Sequence, residues 1–165
     1  MTATDASAPS NTIVGWREWV SLPGLGVPWI KAKVDTGART SALHAFDLET
    51  FTRNGEAGPE QWVRYSVHPW QDSDEDAVDC ESRVVDRREV RSSSGHAEER
   101  YVVQLDVSLC RHVVDAEVTL SKRDEMGFRM LVGREALCQG FLVDPSRSYL
   151  GGRPKVSVRR RNRGR

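Results

Sequence analysis

The stretch "KAKVDTGART", Lys31 to Thr40, ends an alternating run with an aspartate, a threonine and a glycine. Ile30, Ala32 and Val34 share one face of an extended chain, and Lys31 and Lys33 share the other, as the two-residue period of a half-buried strand requires. A carboxylate at the end of such a strand, followed by a residue without a side chain, has two readings. It is an Asx-type turn in which Asp35 bonds nearby backbone N–H groups, or a turn that presents Asp35 for chemistry.

The segments around it are also β in character. Val27 to Val34 forms the strand that leads into Asp35, after a turn at Pro23-Gly24-Leu25-Gly26 and an apolar-rich Ile13 to Val20. Ser41 to Leu48 reads as a strand carrying His44. Thr52 to Glu60 holds two glycines and a proline and reads as a loop. Gln61 to Val67 is strand-like, and the acidic Gln71 to Asp79 is expected at the surface. "YVVQLDVSL" (101–109) and "HVVDAEVTL" (112–120) alternate cleanly, which favours antiparallel strands with one wet face. Glu81 to Tyr101 reads as a long hairpin whose tip is the serine-glycine cluster after Arg91. Near the end, Met130-Leu131-Val132 and Phe141-Leu142-Val143 read as short buried strands flanking a turn or two of helix over Arg134 to Cys138.

Composition bounds the rest. A chain of 165 residues with 29% charged residues and a mean hydropathy of -0.54 suits one small domain. No run approaches the roughly 18 apolar residues of a membrane helix. The opening "MTATDASAPSNT" lacks the blocks of a signal peptide and reads as a disordered leader over 1–12. The expectation is therefore a cytoplasmic protein with no membrane association, in which Cys80, Cys110 and Cys138 are thiols and not a disulfide framework. Seven of the 24 Lys+Arg fall in residues 151–165, which contain no acid, so the remainder is acidic by about seven charges. This basic tail is a candidate contact for nucleic acid or an acidic partner.

"KAKVDTGARTSALHA", "VRSSSGHAEERYVV" and "MGFRMLVGREALCQGFLVDPSRSYL" together resemble the retropepsin-type aspartic peptidases. The match is closer to the bacterial proteins labelled ATP-dependent zinc proteases, which are associated with ATP-grasp ligases that add glutamate to ribosomal protein. The resemblance implies an all-β fold over 13–150: a closed acid-protease barrel with a flap hairpin and one short C-terminal helix. It implies a homodimer, because each chain supplies half of an active site. Asp35 is then the catalytic carboxylate, the Thr36 hydroxyl bonds across the dimer, and Gly37 lets backbone approach the carboxylates. Ala38, Arg39 and the flap residues Ser93, Ser94, Gly95 and His96 line the peptide. Retroviral enzymes commonly carry an aspartate where this chain has Arg39, pairing it with the arginine of the Gly-Arg segment. Here Arg134 is followed by Glu135, so the expectation is a rewired brace in which Arg39 pairs with Glu135.

The zinc label leads to His44, His96, Cys110 and His112 as candidate ligands. Cys110 and His112 are two apart, and His44 and His96 would meet near Asp35 if turn and flap converge. There is no H-E-x-x-H, and no P-loop, so an ATP requirement would reside in a partner. Three functions follow: a peptidase cutting peptide or isopeptide bonds, on glutamate-modified protein by family association; a non-catalytic peptide-binding or regulatory module partnering an ATP-grasp ligase; and a zinc-dependent hydrolase.

Overall fold

The computed structural model describes residues 11–91, 94–122 and 127–161. Eleven strands lie among these residues: β1 (Thr12–Val14), β2 (Arg17–Leu22), β3 (Val27–Val34), β4 (Ser41–His44), β5 (Phe46–Gly55), β6 (Gly58–Val67), β7 (Val78–Arg91), β8 (Ala97–Leu109), β9 (His112–Ser121), β10 (Met130–Val132) and β11 (Phe141–Val143). Two short helices, α1 (Arg134–Leu137) and α2 (Val156–Arg161), complete them. The fold is all-β, as expected.

The main sheet runs β2-β3-β10-β4-β9-β8-β7-β6-β5. A single pairing, Ser21 with Ser108, brings β2 back to β8 and closes a ring of the first six strands in that order. The closed barrel expected from the resemblance is therefore joined at one residue pair, and β5 and β6 extend away from it. Strand β7 changes partners midway. Residues up to Arg83 pair with β6, those from Val84 pair with β8, and an irregularity between Val84 and Asp86 marks the switch. Such bulges bend a strand and increase its twist, and beyond this one β7 pairs with β8 alone as far as Arg91.

The alternation of the sequence is realised as burial. Val103, Val107 and Leu109 of β8 and Val118 of β9 are fully buried, while Gln104, Asp106 and Asp115 face water. Ile30 and Ala32 of β3 face the same core as Leu43 and Met130. Burying side chains of this size contributes about 1.5–3 kcal/mol each.

Several expectations are corrected. Thr52 to Glu60 is not a loop: β5 and β6 pair through Asn54–Pro59 and Gly55–Gly58. The turn is only Glu56-Ala57, and Gly58 at φ +119° supplies the dihedral that closes it. Ser41 to Leu48 is two strands, broken at Ala45 before Asp47 at φ +52°. Strand β1 begins at Thr12, the last residue of the expected leader, and residues 1–10 of that leader lie outside the described residues. The basic tail holds a second helix, α2, where one short helix was expected. Arg159 N–H donates to the Lys155 carbonyl, and Pro154 is buried. Arginine favours helix nearly as well as leucine, a propensity that the charge of the tail obscured.

Candidate functional site

Strand β10 lies between β3, to which it is parallel, and β4, to which it is antiparallel. Val34 pairs with Val132, so the chain leaves β3 at Asp35 beside the point where it leaves β10 at Gly133. Asp35 N–H donates to the Val132 carbonyl at 2.9 Å. The Asp35 Oδ1 accepts from the N–H groups of Gly37 at 3.0 Å and Ala38 at 3.2 Å. The Asx-type turn of the sequence reading is thus formed, and its bonds fix the direction of the carboxylate. Asp35 is half-buried, and Thr36 and Gly37 are exposed. A Cβ on Gly37 would stand 3.4 Å from Asp35 Oδ1, against the carboxylate itself.

The turn is tied to the start of α1. Arg134 N–H donates to the Ala38 carbonyl at 2.7 Å, and Glu135 N–H to the Arg39 carbonyl at 3.1 Å. Gly133 sits where the segments cross: a Cβ there would lie 2.6 Å from the Thr40 carbonyl carbon. Ser41 Oγ accepts the buried Gly133 N–H at 3.0 Å, and Thr119 Oγ1 donates to the Ser41 carbonyl. Arg39 Nε meets Glu135 Oε1 at 2.9 Å, and Arg134 donates to the Thr36 carbonyl at 3.2 Å. The guanidinium of Arg39 is therefore engaged by Glu135.

The flap hairpin is anchored next to the same turn. Arg88 of β7 pairs with Glu117 at 2.7 Å and with Asp86 at 3.0 Å, and also reaches Thr40 Oγ1 at 3.4 Å. The two carboxylates hold the guanidinium above its already high range, chiefly through the bond to Glu117. Ser94, Gly95 and His96 are exposed, with Gly95 at φ +84°; Ser93 lies outside the described residues. Arg88, Ser41 and Thr119 were not foreseen as site supports. The only sequence signal was their place in strands flanking the Asp35 turn, and pairing of strands distant in sequence decided it.

Three of the four candidate metal ligands, His44, Cys110 and His112, are placed apart, and the fourth, His96, is exposed on the β7–β8 hairpin. His44 stands beside Ser121, and its N–H donates to the Arg129 carbonyl at the far end of β10 from Asp35. That is about 10 Å along the strand at 3.3 Å per residue. The ring is buried and stacks on Phe46, which stacks in turn on His68. Cys110 and His112 do not share a strand face. Cys110 at φ +49° and Arg111 at φ +66° form the two-residue turn between β8 and β9, and the strand alternation stops there. The Cys110 thiol points to Glu18 Oε1 at 3.6 Å, whereas His112 Nε2 lies 3.3 Å from the Gln139 carbonyl. Among the described residues, no three His, Cys, Asp or Glu are grouped to hold a metal ion. The candidate ligands therefore do not fit a zinc site, which needs three protein ligands around one ion.

A family model described as RimB-like, retropepsin-like aspartic endopeptidase RimB, matches residues 13–154. A Shewanella halifaxensis protein named probable alpha-L-glutamate ligase is 48% identical over 88% of this chain. A protein of the same name from Desulfotalea psychrophila is 46% identical over 83%. The chain spans only 31% and 29% of the length of these two relatives. The crystal structure of a Legionella pneumophila protein of unknown function superposes with a TM-score of 0.68, at 25% identity, over 86% of this chain and 99% of that one. The family model covers the Asp35-Thr36-Gly37 turn, the hairpin and the Gly133-Arg134 crossing alike, and the chain belongs to the RimB-like family of retropepsin-like aspartic endopeptidases.

Proposed function

We propose that this chain is a peptidase whose working unit is a homodimer with two Asp35 carboxylates at its centre. The observation that carries the reading is the Asp35 turn. Its carboxylate is held by the Gly37 and Ala38 N–H groups at the mouth of a strand crossing, and the β7–β8 hairpin reaches the same turn through Arg88 and Thr40. In the dimer two such carboxylates stand about 3 Å apart and share one proton. The ionised one takes a proton from water, the water oxygen attacks the scissile carbonyl, and the protonated one donates to the carbonyl oxygen. Proton return to the leaving nitrogen completes the cleavage, and the apparent pKa values belong to the pair. Thr36 is exposed and its side chain bonds to nothing among the described residues of its own chain, which leaves it available to the partner copy. The hairpin tip closes over the peptide.

The substrate that fits this reading best is glutamate-modified protein, cut at peptide or isopeptide bonds, with an ATP-grasp glutamate ligase as functional partner. Its support is that segments similar to this chain occur within proteins named probable alpha-L-glutamate ligase. The same observation favours a second reading, in which the domain binds peptide for a ligase without cutting it.

The test compares the wild type with Asp35→Asn on a mixed peptide library that includes glutamate-rich peptides, with chelator and with added zinc. The expected result is cleavage by the wild type, unchanged by chelation, and at least a thousandfold loss in the variant (on the order of 10³ or more) with an unchanged melting temperature. Cleavage that survives in Asp35→Asn would sink the dyad. Loss on chelation would transfer the chemistry to a metal, and binding without cleavage would establish the second reading.

A further inference from the structure

On the outer side of β2 and β3, away from the core, lies a hollow of about 360 Å³. Arg17, Lys31, Arg153 and Arg159 line it, and Asp72 is the one acid in its lining. Lys31 precedes Asp35 by four residues, so the hollow is displaced by about 13 Å along β3 from the Asp35 turn. It is thus a different place from the proposed active site.

The cations are held together by aromatic rings. The Arg17 guanidinium lies 4.6 Å from the Trp16 ring centre and 4.8 Å from that of Tyr149. Arg153 lies over Tyr149 at 4.4 Å, and the Lys31 amine stands 5.9 Å from the same ring. Trp19 and Trp70 pack together at 5.6 Å within the lining. Several arginines elsewhere meet carboxylates, as Arg39, Arg64 and Arg88 do. None of the four cations of the hollow does so among the described residues, and Arg17 Nε is buried with no hydrogen-bond partner. A buried donor left unpaired costs about 1–3 kcal/mol, and gathering like charges adds to it. An anion in the hollow would relieve the gathering of like charge.

We propose that this hollow is a second binding site, outside the active site, for the carboxylates of an acidic peptide. Stacking covers the faces of the guanidiniums and leaves their N–H edges to meet a planar carboxylate side-on. The rings favour peptide over nucleic acid. Single-stranded nucleic acid needs free aromatic faces for its bases, and here cations cover the faces of Trp16 and Tyr149. Asp72 lines the hollow and is followed in the chain by Asp74, Glu75 and Asp76, a run of negative charge that disfavours a continuous phosphate backbone, while a short anionic side chain entering the hollow meets only Asp72. On the reading proposed above, the site would hold one part of an acidic chain while another part lies at Asp35.

The test titrates the full chain with fluorescein-labelled hexaglutamate, hexaglutamine and hexauridylate, following anisotropy. Hexaglutamate is expected to bind the wild type and Asp35→Asn alike, and to bind Arg17→Gln/Arg153→Gln about tenfold or more weakly, as loss of charge-assisted bonds implies. Lys31→Gln/Arg153→Gln gives a second variant that spares the stacked Arg17, and melting temperatures report folding. Hexaglutamine is expected not to bind. Equal hexaglutamate binding by wild type and both variants, or no binding by wild type, would overturn the site. Tighter binding of hexauridylate would overturn the acidic-peptide assignment in favour of nucleic acid. A chain that binds hexaglutamate through Arg17 and Arg153 but cleaves nothing would remove only the peptidase reading.

Discussion

Glu18 shows how much one side chain can hold together. It is fully buried, and its carboxylate accepts from the N–H groups of Gly15 at 2.7 Å, Gly151 at 2.9 Å and Leu150 at 3.1 Å. The loop before β2 and the segment after β11 are thereby joined through one acid, with the Cys110 thiol as a further donor. Glu18→Ala leaves three N–H groups unpaired, and the expected loss is roughly 3 kcal/mol or more, read from urea denaturation. An unchanged midpoint would show that water replaces the carboxylate. Burial, together with the nearby charge of Glu18, pushes the Cys110 thiol up to about 12, and burial beside Asp79 pushes Cys80 up to about 11. The folded chain thus holds these protons more tightly than the unfolded chain does. Their contribution to stability is complete below the unfolded thiol value near 9 and is lost as pH rises through 11 to 12. Melting temperatures should fall over that window, and at pH 8 iodoacetamide should label exposed Cys138 well before the other two. Equal labelling of all three in the native state would contradict these positions. At this scale Asp35 was legible, because strand, acid and glycine are adjacent in sequence. Glu18 was not, because two of its partners, Leu150 and Gly151, are more than 130 residues away and nothing in "WREWV" marks its one acid as buried.

The hairpin of β7 and β8 was foreseen from the charged, valine-punctuated run of sequence and its serine-glycine tip. Its attachment was not. Arg88 ties it to β9 through Glu117 and to the Asp35 turn through Thr40. Arg88→Ala should cost only about 1 kcal/mol in global stability, because the pair is partly exposed. It should nevertheless speed hydrogen exchange across residues 86–100, since the outer hairpin has few buried apolar side chains to hold it. Exchange that rises no more there than in β3 would show that the hairpin is held by its backbone ladder alone. The second helix was missed for the opposite reason. A run of arginines looks like a solvated tail until Pro154 is buried and a turn of backbone bonds closes over it.

For the molecule as a whole, the peptidase reading makes oligomeric state decisive. If each copy supplies one Asp35, specific activity should fall with dilution, with rates approaching the square of chain concentration below the dimer dissociation constant. Sedimentation should show the dimer over the same range. Activity strictly proportional to concentration, in a species that sediments as a monomer, would exclude the shared dyad. The sequence by itself determined the all-β class, the inward faces of β3, β8 and β9, and the Asp35 turn. Alternation and turn chemistry act between neighbours in the chain, and there the local signals agree. Only the tertiary structure decided that β10 slides between β3 and β4, that His44, Cys110 and His112 stay apart, and that Arg17, Lys31, Arg153 and Arg159 gather around one hollow. Those outcomes depend on which distant strands share hydrogen bonds, and a one-dimensional pattern carries no record of that choice.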